Sequence, residues 1–255
     1  MTDNDLMNSL KQEMETGFSG WDFSHLTSSG RMQEFPLTWN YRIEISNYIS
    51  HSNCLLDMGT GGGEFLSSLK NLPGKTSATE GYTPNIEIAR KRLSAKGIEV
   101  RKIEDDKLPF DEDAFDLVIN RHESFIASEV KKVLANNGIF ITQQVGSLND
   151  YNLNMDLGAK MSEYTGWGLV KVMNELVGEK FVIVKMKECI THSRFYDAAA
   201  IAYYLKCIPW QIEDFSIDKY FNNLRMIQKR IEDEWARLTS VDTSACCSVG
   251  MEGIA

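Results

Sequence analysis

Hydrophobic positions between about residues 53 and 146 switch repeatedly between two patterns. Short apolar runs typical of strands alternate with segments in which apolar residues recur at helical spacing. The predicted strands cover residues 54–57, 77–80, 98–103, 115–120 and 139–142. The intervening segments predict helices over residues 64–71, 85–96 and 129–136. This alternation indicates a parallel sheet with helices on both of its faces.

The remainder of the chain is more helical, with one further strand pattern at residues 181–186. Helical spacing is found over residues 5–17, 42–49, 169–177, 196–206 and 217–235. We therefore predict an N-terminal helical lid segment over residues 1–50. Residues 51–255 are predicted to form one α/β domain with a helical insertion at about 190–237.

Composition narrows the class of binding partner. The chain has 255 residues, 27 basic and 36 acidic, so its net charge is −9. An acidic surface disfavours nucleic acid, whose non-specific binding depends on cation–phosphate attraction. The basic cluster at residues 90–92 is interpreted as the solvated face of a helix. The N-terminus lacks the apolar region of a signal peptide, and no apolar run approaches the roughly 18 residues that span a bilayer.

Cysteine usage indicates the compartment. The five cysteines and four histidines are scattered, and no C-x-x-C pair occurs. This pattern argues against a zinc site and against a disulfide framework. We therefore predict no metal site and a reducing, cytoplasmic location. No sequence pattern predicts the oligomeric state.

A glycine-rich loop carries the clearest chemical signal. Residues 55–66, LLDMGTGGGEFL, leave a predicted strand, turn on glycines and enter a predicted helix. Glycines allow a sharp turn and let a ligand approach the backbone amides without a Cβ in the way. The helix N-terminus adds a positive dipole end that suits a carboxylate or phosphate.

Two common nucleotide motifs do not fit this loop. A dinucleotide-binding G-x-G-x-x-G motif would need glycine where Glu64 stands. A P-loop could be sought at Gly74, Lys75 and Thr76, but the required earlier glycine is replaced by Leu69. That tripeptide also precedes a predicted strand instead of following one.

The loop does match D-x-G-x-G-x-G, and here the chain resembles the class I S-adenosylmethionine-dependent methyltransferases over roughly residues 50–146. The resemblance implies a Rossmann-like, doubly wound, mostly parallel sheet of six to seven strands with an N-terminal and C-terminal helical lid. It also implies S-adenosylmethionine as cofactor. The loop residues expected to contact it are Asp57, Gly59, Thr60, Gly61 and Gly63.

Acidic residues follow at the intervals that the resemblance implies. Glu80 ends the second strand, 23 residues after Asp57, where an acid accepts the ribose hydroxyls. Residues 104–110, EDDKLPF, resemble the family's adenine-binding segment, in which a carboxylate takes the adenine amino group. The family has Asp where Glu104 stands, so Glu104 and Asp105 are both candidates for this contact.

The exits of the fourth and fifth strands should lie at the same edge of the sheet, where ligands of open parallel sheets bind. Asn120 is predicted to bind the cofactor. His122 is the candidate general base, needed only if the methyl acceptor carries a proton of high pKa. Substrate contacts are predicted for Trp39, Tyr41, Arg121 and Gln143. The aromatic residues outside the sheet either attach the lid to the sheet or line a pocket for a small acceptor.

A longer resemblance covers about residues 1–235 and is to a bacterial subgroup of small, functionally uncharacterised methyltransferases. It is carried by the segments GWDFS (20–24), FPLTWNY (35–41), NRHE (120–123), ITQQVG (141–146), RFYD (194–197) and IPW (208–210). It implies a fold and a cofactor but no substrate.

The C-terminus departs from this pattern. Such chains end in a His-Arg-Phe-type strand that runs antiparallel to its neighbour and completes a seven-stranded sheet. Residues 238–250 lack this motif. Either a degenerate seventh strand forms around residues 245–249, or the tail is altered and the sheet edge is incomplete.

Together these patterns predict an enzyme that transfers a methyl group from S-adenosylmethionine to a small molecule. An RNA methyltransferase is the first alternative, and the acidic charge disfavours it. A non-catalytic protein that binds S-adenosylmethionine is the second, because the loop would bind the cofactor in either case.

Overall fold

The computed structural model describes residues 1–19, 22–161 and 166–233, and the backbone of residues 238–250. Its helices are α1 (Asp3–Glu15), α2 (Ser24–Thr27), α3 (Tyr41–Ile49), α4 (Glu64–Ser68), α5 (Thr83–Ser94), α6 (Ala127–Val133), α7 (Tyr151–Leu157), α8 (Leu169–Gly178), α9 (Ala198–Cys207) and α10 (Ile217–Asp233). Its strands are β1 (Met32–Glu34), β2 (Cys54–Met58), β3 (Lys75–Glu80), β4 (Glu99–Lys102), β5 (Phe115–Arg121), β6 (Leu134–Val145), β7 (Val182–Phe195) and β8 (Leu238–Gly250).

These strands form one sheet in the order β1-β7-β8-β6-β5-β2-β3-β4. Strands β4, β3, β2, β5 and β6 are parallel to one another, while β8 lies between β6 and β7 and runs antiparallel to both. Strand β1 adds an antiparallel edge beside β7. The predicted fold class is confirmed, and β1 extends the sheet beyond the six to seven strands expected.

The strand register aligns the predicted site residues. Met58 at the end of β2 pairs with Asn120 on β5, and Asn120 pairs with Thr142 on β6. Asp57 pairs with Ala78, two residues before the end of β3. The glycine loop and the exits of β3, β5 and β6 therefore meet at the carboxyl edge of the sheet.

Hydrophobic residues pack in three clusters. Two lie on the sheet, one with α3, α4 and α5 and the other with α6 and α8. The third, which we call the helical cluster, joins α1, α2, α7, α9 and α10 to Met32 and Phe195 at the β1–β7 end of the sheet. The predicted segment 1–50 is thus divided, because α1 and α2 join the helical cluster while α3 packs on the sheet core.

The C-terminal segment forms a strand. Residues 238–250 pair with both β6 and β7, well beyond the five residues considered for a degenerate strand. Strand β7 is correspondingly longer than predicted and runs to Phe195, because β8 supplies a hydrogen-bonding partner along its length. The alternative of an incomplete sheet edge is therefore wrong.

Several predicted boundaries were also wrong. The helix predicted over residues 129–136 ends at Val133, since Leu134 already pairs with Phe115 on β5. The helix predicted from residue 196 begins at Ala198, because Asp197 caps it by accepting from the Ala200 N–H at 2.7 Å. Strand β1 and helices α2 and α7 were not predicted. Two predicted features lie outside the described residues: Trp21, one of the aromatic residues outside the predicted sheet, and the last two residues of the helix predicted over 217–235.

Candidate active site

The glycine loop has the conformation that its sequence requires. Gly59, Gly61 and Gly63 have φ angles of +64°, +62° and +81°, a region that side chains rarely adopt. A Cβ on Gly59 would lie only 2.4 Å from the Cβ of Glu123, so no side chain fits there. The buried Thr60 ties the loop to the sheet through its N–H, which donates to the Thr79 carbonyl at 2.9 Å.

An arginine on α5 braces the same loop. Arg92 donates to the carbonyl oxygen of Gly62 and forms an ion pair with Glu64, the first residue of α4. The basic cluster at residues 90–92 was interpreted only as solvated surface. Arg92 instead contributes to the shape of the loop, a contact between distant segments that sequence spacing does not reveal.

Three carboxyl groups lie around the loop without an ion pair among the described residues: Asp57, Glu80 and Glu123. Burial raises the pKa of Asp57 to about 7, although the nearby charge of Arg121 opposes the rise. Burial also raises the pKa of Glu80, whose carboxylate accepts from the Tyr82 N–H at 2.7 Å. Burial, with the charges of Glu80 and Asp106, raises the pKa of Glu123 to about 7. The cleft therefore concentrates carboxyl groups that ionise reluctantly, and a bound cation would stabilise their ionised form.

A concavity of about 420 Å³ opens beside these carboxyl groups. It is lined by Gly81, Thr83, Lys102, Ile103, Glu104, Asp105, Asp106 and Glu123. Glu104 pairs with Lys102 at 2.6 Å, which lowers its pKa. Asp106 accepts from the Ser124 hydroxyl at 3.0 Å, whereas Asp105 has no hydrogen bond or ion pair among the described residues. Both predicted adenine-binding residues thus lie at the concavity, and Asp105 is the freer of the two.

Asn120 lies fully buried at the floor of the cleft. Its Oδ1 accepts from the Thr142 hydroxyl at 3.2 Å and from Gln144 Nε2 at 2.7 Å. Gln144 Nε2 also donates to the Glu123 carbonyl at 3.0 Å, which fixes the turn after β5. The Asn120 Nδ2 group has no partner within the described structure. A buried amide donor left unpaired is costly, and a ligand oxygen would satisfy it.

His122 belongs to a chain of hydrogen bonds. The Trp39 indole Nε1 donates to Gln143 Oε1 at 2.8 Å, and Gln143 Nε2 lies 2.9 Å from His122 Nε2. His122 as a whole residue is exposed, but its ring is partly buried against Gln143, and this burial and the charge of Arg121 lower its pKa to about 4. A weakly basic ring whose Nε2 is already engaged is poorly suited to remove a proton. This geometry argues against the general-base role predicted for His122.

Tyr41, predicted to contact the substrate, instead makes hydrogen bonds to the backbone of the sheet. Its hydroxyl accepts from the Asn120 N–H at 3.1 Å and lies 2.9 Å and 3.3 Å from the carbonyl oxygens of Asn120 and Ile141. The side chain is buried and bridges β5 to β6, so a direct substrate contact is not supported. Arg121, by contrast, is exposed, with its guanidinium 4.3 Å from the centroid of the Phe65 ring.

The structure adds three residues to the predicted site. Glu123 covers Gly59, Gln144 fixes the turn, and Asp106 lies in the concavity. Glu123 and Gln144 belong to the segments NRHE and ITQQVG that carried the longer resemblance, so a signal was present. Their spatial roles follow only from the pairing of β5 with β6.

This donor set fits S-adenosylmethionine. Its sulfonium and ammonium groups are cationic, which matches a cleft containing three carboxyl groups without ion pairs. The glycine cradle, the Glu80 carboxylate and the unpaired Asn120 Nδ2 supply contacts for the polar groups of the methionine and ribose parts. A pyrophosphate would instead meet like charge.

Comparison with known proteins agrees with this description. Residues 56–142 match the family model described as a methyltransferase domain. A provisionally assigned methyltransferase of Bacillus halodurans C-125 superimposes with a TM-score of 0.60 at 13% identity, over 83% of this chain and 99% of that one. The YcgJ protein of Bacillus subtilis gives a TM-score of 0.56 at 14% identity, also over 83% and 99%. A search of the curated proteins gives no match.

The fold is Rossmann-like, and the part of the chain that contains the glycine loop and the exits of β5 and β6 is a methyltransferase domain. Residues 56–142 match the methyltransferase domain family, and the strand order, with antiparallel β8 inserted beside β6, agrees with the fold of the superimposed methyltransferase. The predicted family is therefore confirmed. Within the described residues, no helix is both long enough and apolar enough to cross a membrane.

Proposed function

We propose that this enzyme binds S-adenosylmethionine across the glycine loop and methylates a small-molecule acceptor held at the exits of β5 and β6. The observation that carries this proposal is the group of Asp57, Glu80 and Glu123 around the loop, without an ion pair among the described residues. Carboxyl groups kept together in this way favour a cationic ligand over an anionic nucleotide.

Each part of the cofactor has a candidate partner. Glu80 would accept the ribose hydroxyls, and Asp105 or Glu104 the adenine amino group. The backbone of Gly59, Thr60, Gly61 and Gly63 would line the methionine part, with Asp57 below the loop. Asn120 Nδ2 would donate to a cofactor oxygen and so satisfy its buried amide.

Bound S-adenosylmethionine supplies a methyl group on sulfur that is already activated for displacement. The protein's contribution is therefore mainly to position the acceptor and exclude water. Arg121, His122 and Gln143 lie where the acceptor would approach. The helical cluster, which contains α1, α2, α7, α9 and α10, would form the lid.

A small acceptor is favoured over RNA on electrostatic grounds. The chain carries a net charge of −9, and the concavity is lined mainly by acidic side chains. A phosphate backbone approaching this edge would be repelled.

Thermal unfolding with added ligand tests the cofactor. S-adenosylmethionine or S-adenosylhomocysteine should raise the melting temperature by binding only the native state, whereas NAD and ATP should not. The Asp57→Asn variant is the matched control and should lose most of the shift. An equal rise with NAD would contradict the cofactor assignment.

A transfer assay with methyl-labelled cofactor tests the acceptor class. It would be offered a library of small metabolites and, separately, ribosomal RNA. We expect label in one or more small molecules. Methylation of RNA alone would reverse the ranking, and binding without transfer to either would favour a non-catalytic role.

A further inference from the structure

The orientation of the Gln143 amide is determined by a residue that can only donate. The Trp39 indole N–H has no acceptor lone pair, and it lies 2.8 Å from Gln143 Oε1. The amide oxygen must therefore face Trp39, and the NH₂ group faces His122. Both Trp39 and Gln143 are buried, so water does not compete for these groups.

That orientation decides the state of the histidine. Gln143 Nε2 carries only protons, so His122 Nε2, at 2.9 Å, must be the acceptor. A neutral imidazole that accepts at Nε2 carries its proton on Nδ1. The cationic ring would place two donors face to face, which agrees with the lowered pKa of His122.

The backbone holds the ring in place from the other side. His122 has a left-handed φ of +67°, and its N–H donates to the Gln143 carbonyl at 2.8 Å. Residues in this conformation are strained and persist where neighbouring structure enforces them, often at functional sites. Gln143 therefore fixes both the backbone and the ring of His122.

Two donors on consecutive residues make no hydrogen bond to an acceptor in the part of the chain that the structure describes. His122 Nδ1–H has no partner among the described residues. The exposed Arg121 guanidinium stacks on Phe65 and makes no ion pair there, although the carboxyl groups of Glu34 and Asp57 lie near enough to interact with its charge. Both donors lie at the exit of β5, directly after Asn120. An anionic oxygen is the ligand that would satisfy a guanidinium and a neutral N–H together.

We propose that Trp39 and Gln143 hold His122 as a neutral hydrogen-bond donor, and that His122 and Arg121 together bind a carboxylate beside the glycine loop. Trp39 and Gln143 are positioning residues that act through His122. The source of the carboxylate, acceptor or cofactor, rests on the proposed function, whereas the state of His122 does not.

The state of His122 is tested on the ligand-free, full-length protein labelled with ¹⁵N-histidine. Long-range ¹H–¹⁵N spectra, assigned with His122→Gln, should show the neutral Nδ1–H form from about pH 5.5 to about pH 8. An Nε2–H form, or a ring that titrates within this range, would overturn the proposal.

Gln143→Glu provides a signature that a merely structural residue would not produce. A carboxylate accepts from both Trp39 and His122, so the ring should move to the Nε2–H form and its pKa should rise. Gln12→Glu, on the exposed face of α1, adds the same charge far from the site and should change neither. If Gln143→Glu does not fold, Trp39→Phe frees the amide to rotate and should yield mixed forms. An unchanged His122 in the folded variant would overturn the proposal.

Carboxylate binding is tested with benzoate, and benzamide serves as the uncharged control. In protein saturated with S-adenosylhomocysteine, benzoate but not benzamide should shift the His122 Nδ1 resonance. Arg121→Gln should weaken binding of one ligand by about tenfold, as expected for a charged hydrogen bond. If Arg121→Gln weakens the binding of benzoate, the carboxylate site belongs to the acceptor. If it weakens the binding of S-adenosylhomocysteine, the site belongs to the cofactor. If Arg121→Gln weakens the binding of neither ligand, the proposal is overturned. If wild-type protein binds no S-adenosylhomocysteine, the proposed function fails while the spectra still decide the state of His122.

Discussion

Charged side chains are paired where the helical cluster meets the sheet, at the contact of Glu13, Arg31 and Asp197 that we call the joint. In the cofactor cleft, the carboxyl groups have no such pairing among the described residues. In the joint, Arg31 donates to Asp197 from Nε at 2.8 Å and from Nη2 at 2.6 Å, and it also pairs with the buried Glu13. His25 contacts the same Glu13 at 2.9 Å. In the cleft, Asp57 and its two neighbouring carboxyl groups have no ion pair among the described residues.

The difference separates two uses of partly buried charge. Pairing in the joint offsets the cost of burying these charges. It also connects α1, the N-terminus of α9 and the residue before β1, so it contributes to stability. The unpaired carboxyl groups of the cleft destabilise the ligand-free protein, and a cationic ligand would remove that cost. Carboxyl groups without an ion pair among the described residues thus mark the region prepared for a ligand.

The largest expected effect lies in the joint. Arg31→Met leaves Glu13 and Asp197 without their cation, so the free energy of unfolding should fall by about 3–5 kcal/mol. Chemical denaturation measures this change. Arg225→Met, which removes an exposed pair with Asp3, is the control and should cost less than about 1 kcal/mol. If Arg31→Met is no more harmful than the control, the joint is not an energetic unit.

Glu80→Ala should have the next largest effect, and on binding only. Loss of hydrogen bonds to a charged group should weaken S-adenosylhomocysteine binding by roughly 1.5–3 kcal/mol. The fold should survive, because Glu80 stands at the open end of β3. Calorimetry measures the affinity and circular dichroism checks the fold. Unchanged affinity in a natively folded variant would refute the ribose assignment.

The unpaired carboxyl groups predict an unusual pH dependence of stability. The pKa of Asp57 is raised from 3.8 to about 7, so the native state binds more protons than the unfolded chain between these values. Its contribution is complete below about pH 4 and is lost as the pH rises through about 7. Asp57→Asn should therefore make the ligand-free protein more stable than wild type at about pH 8, on the order of 2 kcal/mol.

His122 also changes the stability of the protein with pH, so the contribution of Asp57 must be obtained by comparing Asp57→Asn with wild type. Its pKa is lowered to about 4, so its contribution is present above about pH 6.5 and is lost as the pH falls, which is the opposite slope. Subtracting wild type from Asp57→Asn at each pH isolates Asp57. A difference that does not grow between about pH 4 and about pH 8 would show that Asp57 is ionised in the native state.

The smallest effect distinguishes the two adenine candidates. Glu104 is exposed and paired with Lys102, whereas Asp105 has no hydrogen bond or ion pair among the described residues. Asp105→Asn should weaken S-adenosylhomocysteine binding by about fivefold, and Glu104→Gln by less than about twofold, as expected for weak exposed interactions. Titration calorimetry on both variants ranks them. The reverse order would assign the adenine contact to Glu104.

Much of the candidate cofactor site could be predicted from the sequence, because the motifs that indicate it lie within short segments. The glycine spacing, the acid before it and Glu80 after the next strand are properties of short segments. The loop glycines do adopt positive φ angles, and the strand alternation does produce the parallel sheet. Boundaries such as the end of α6 at Val133 were missed, because a distant strand partner overrides local helical spacing.

The sequence by itself determined the class of fold, the loop, and which strand exits meet at one edge, because hydrophobic period and glycine conformation act over a few residues. Only the tertiary structure decided what the side chains at that edge do. Trp39 and Gln143 are 104 residues apart, and their contact sets the proton position on His122. Glu123 is placed over Gly59 by the packing of separate segments. Protonation state and donor direction depend on neighbours brought together from across the chain, and sequence spacing does not encode those neighbours.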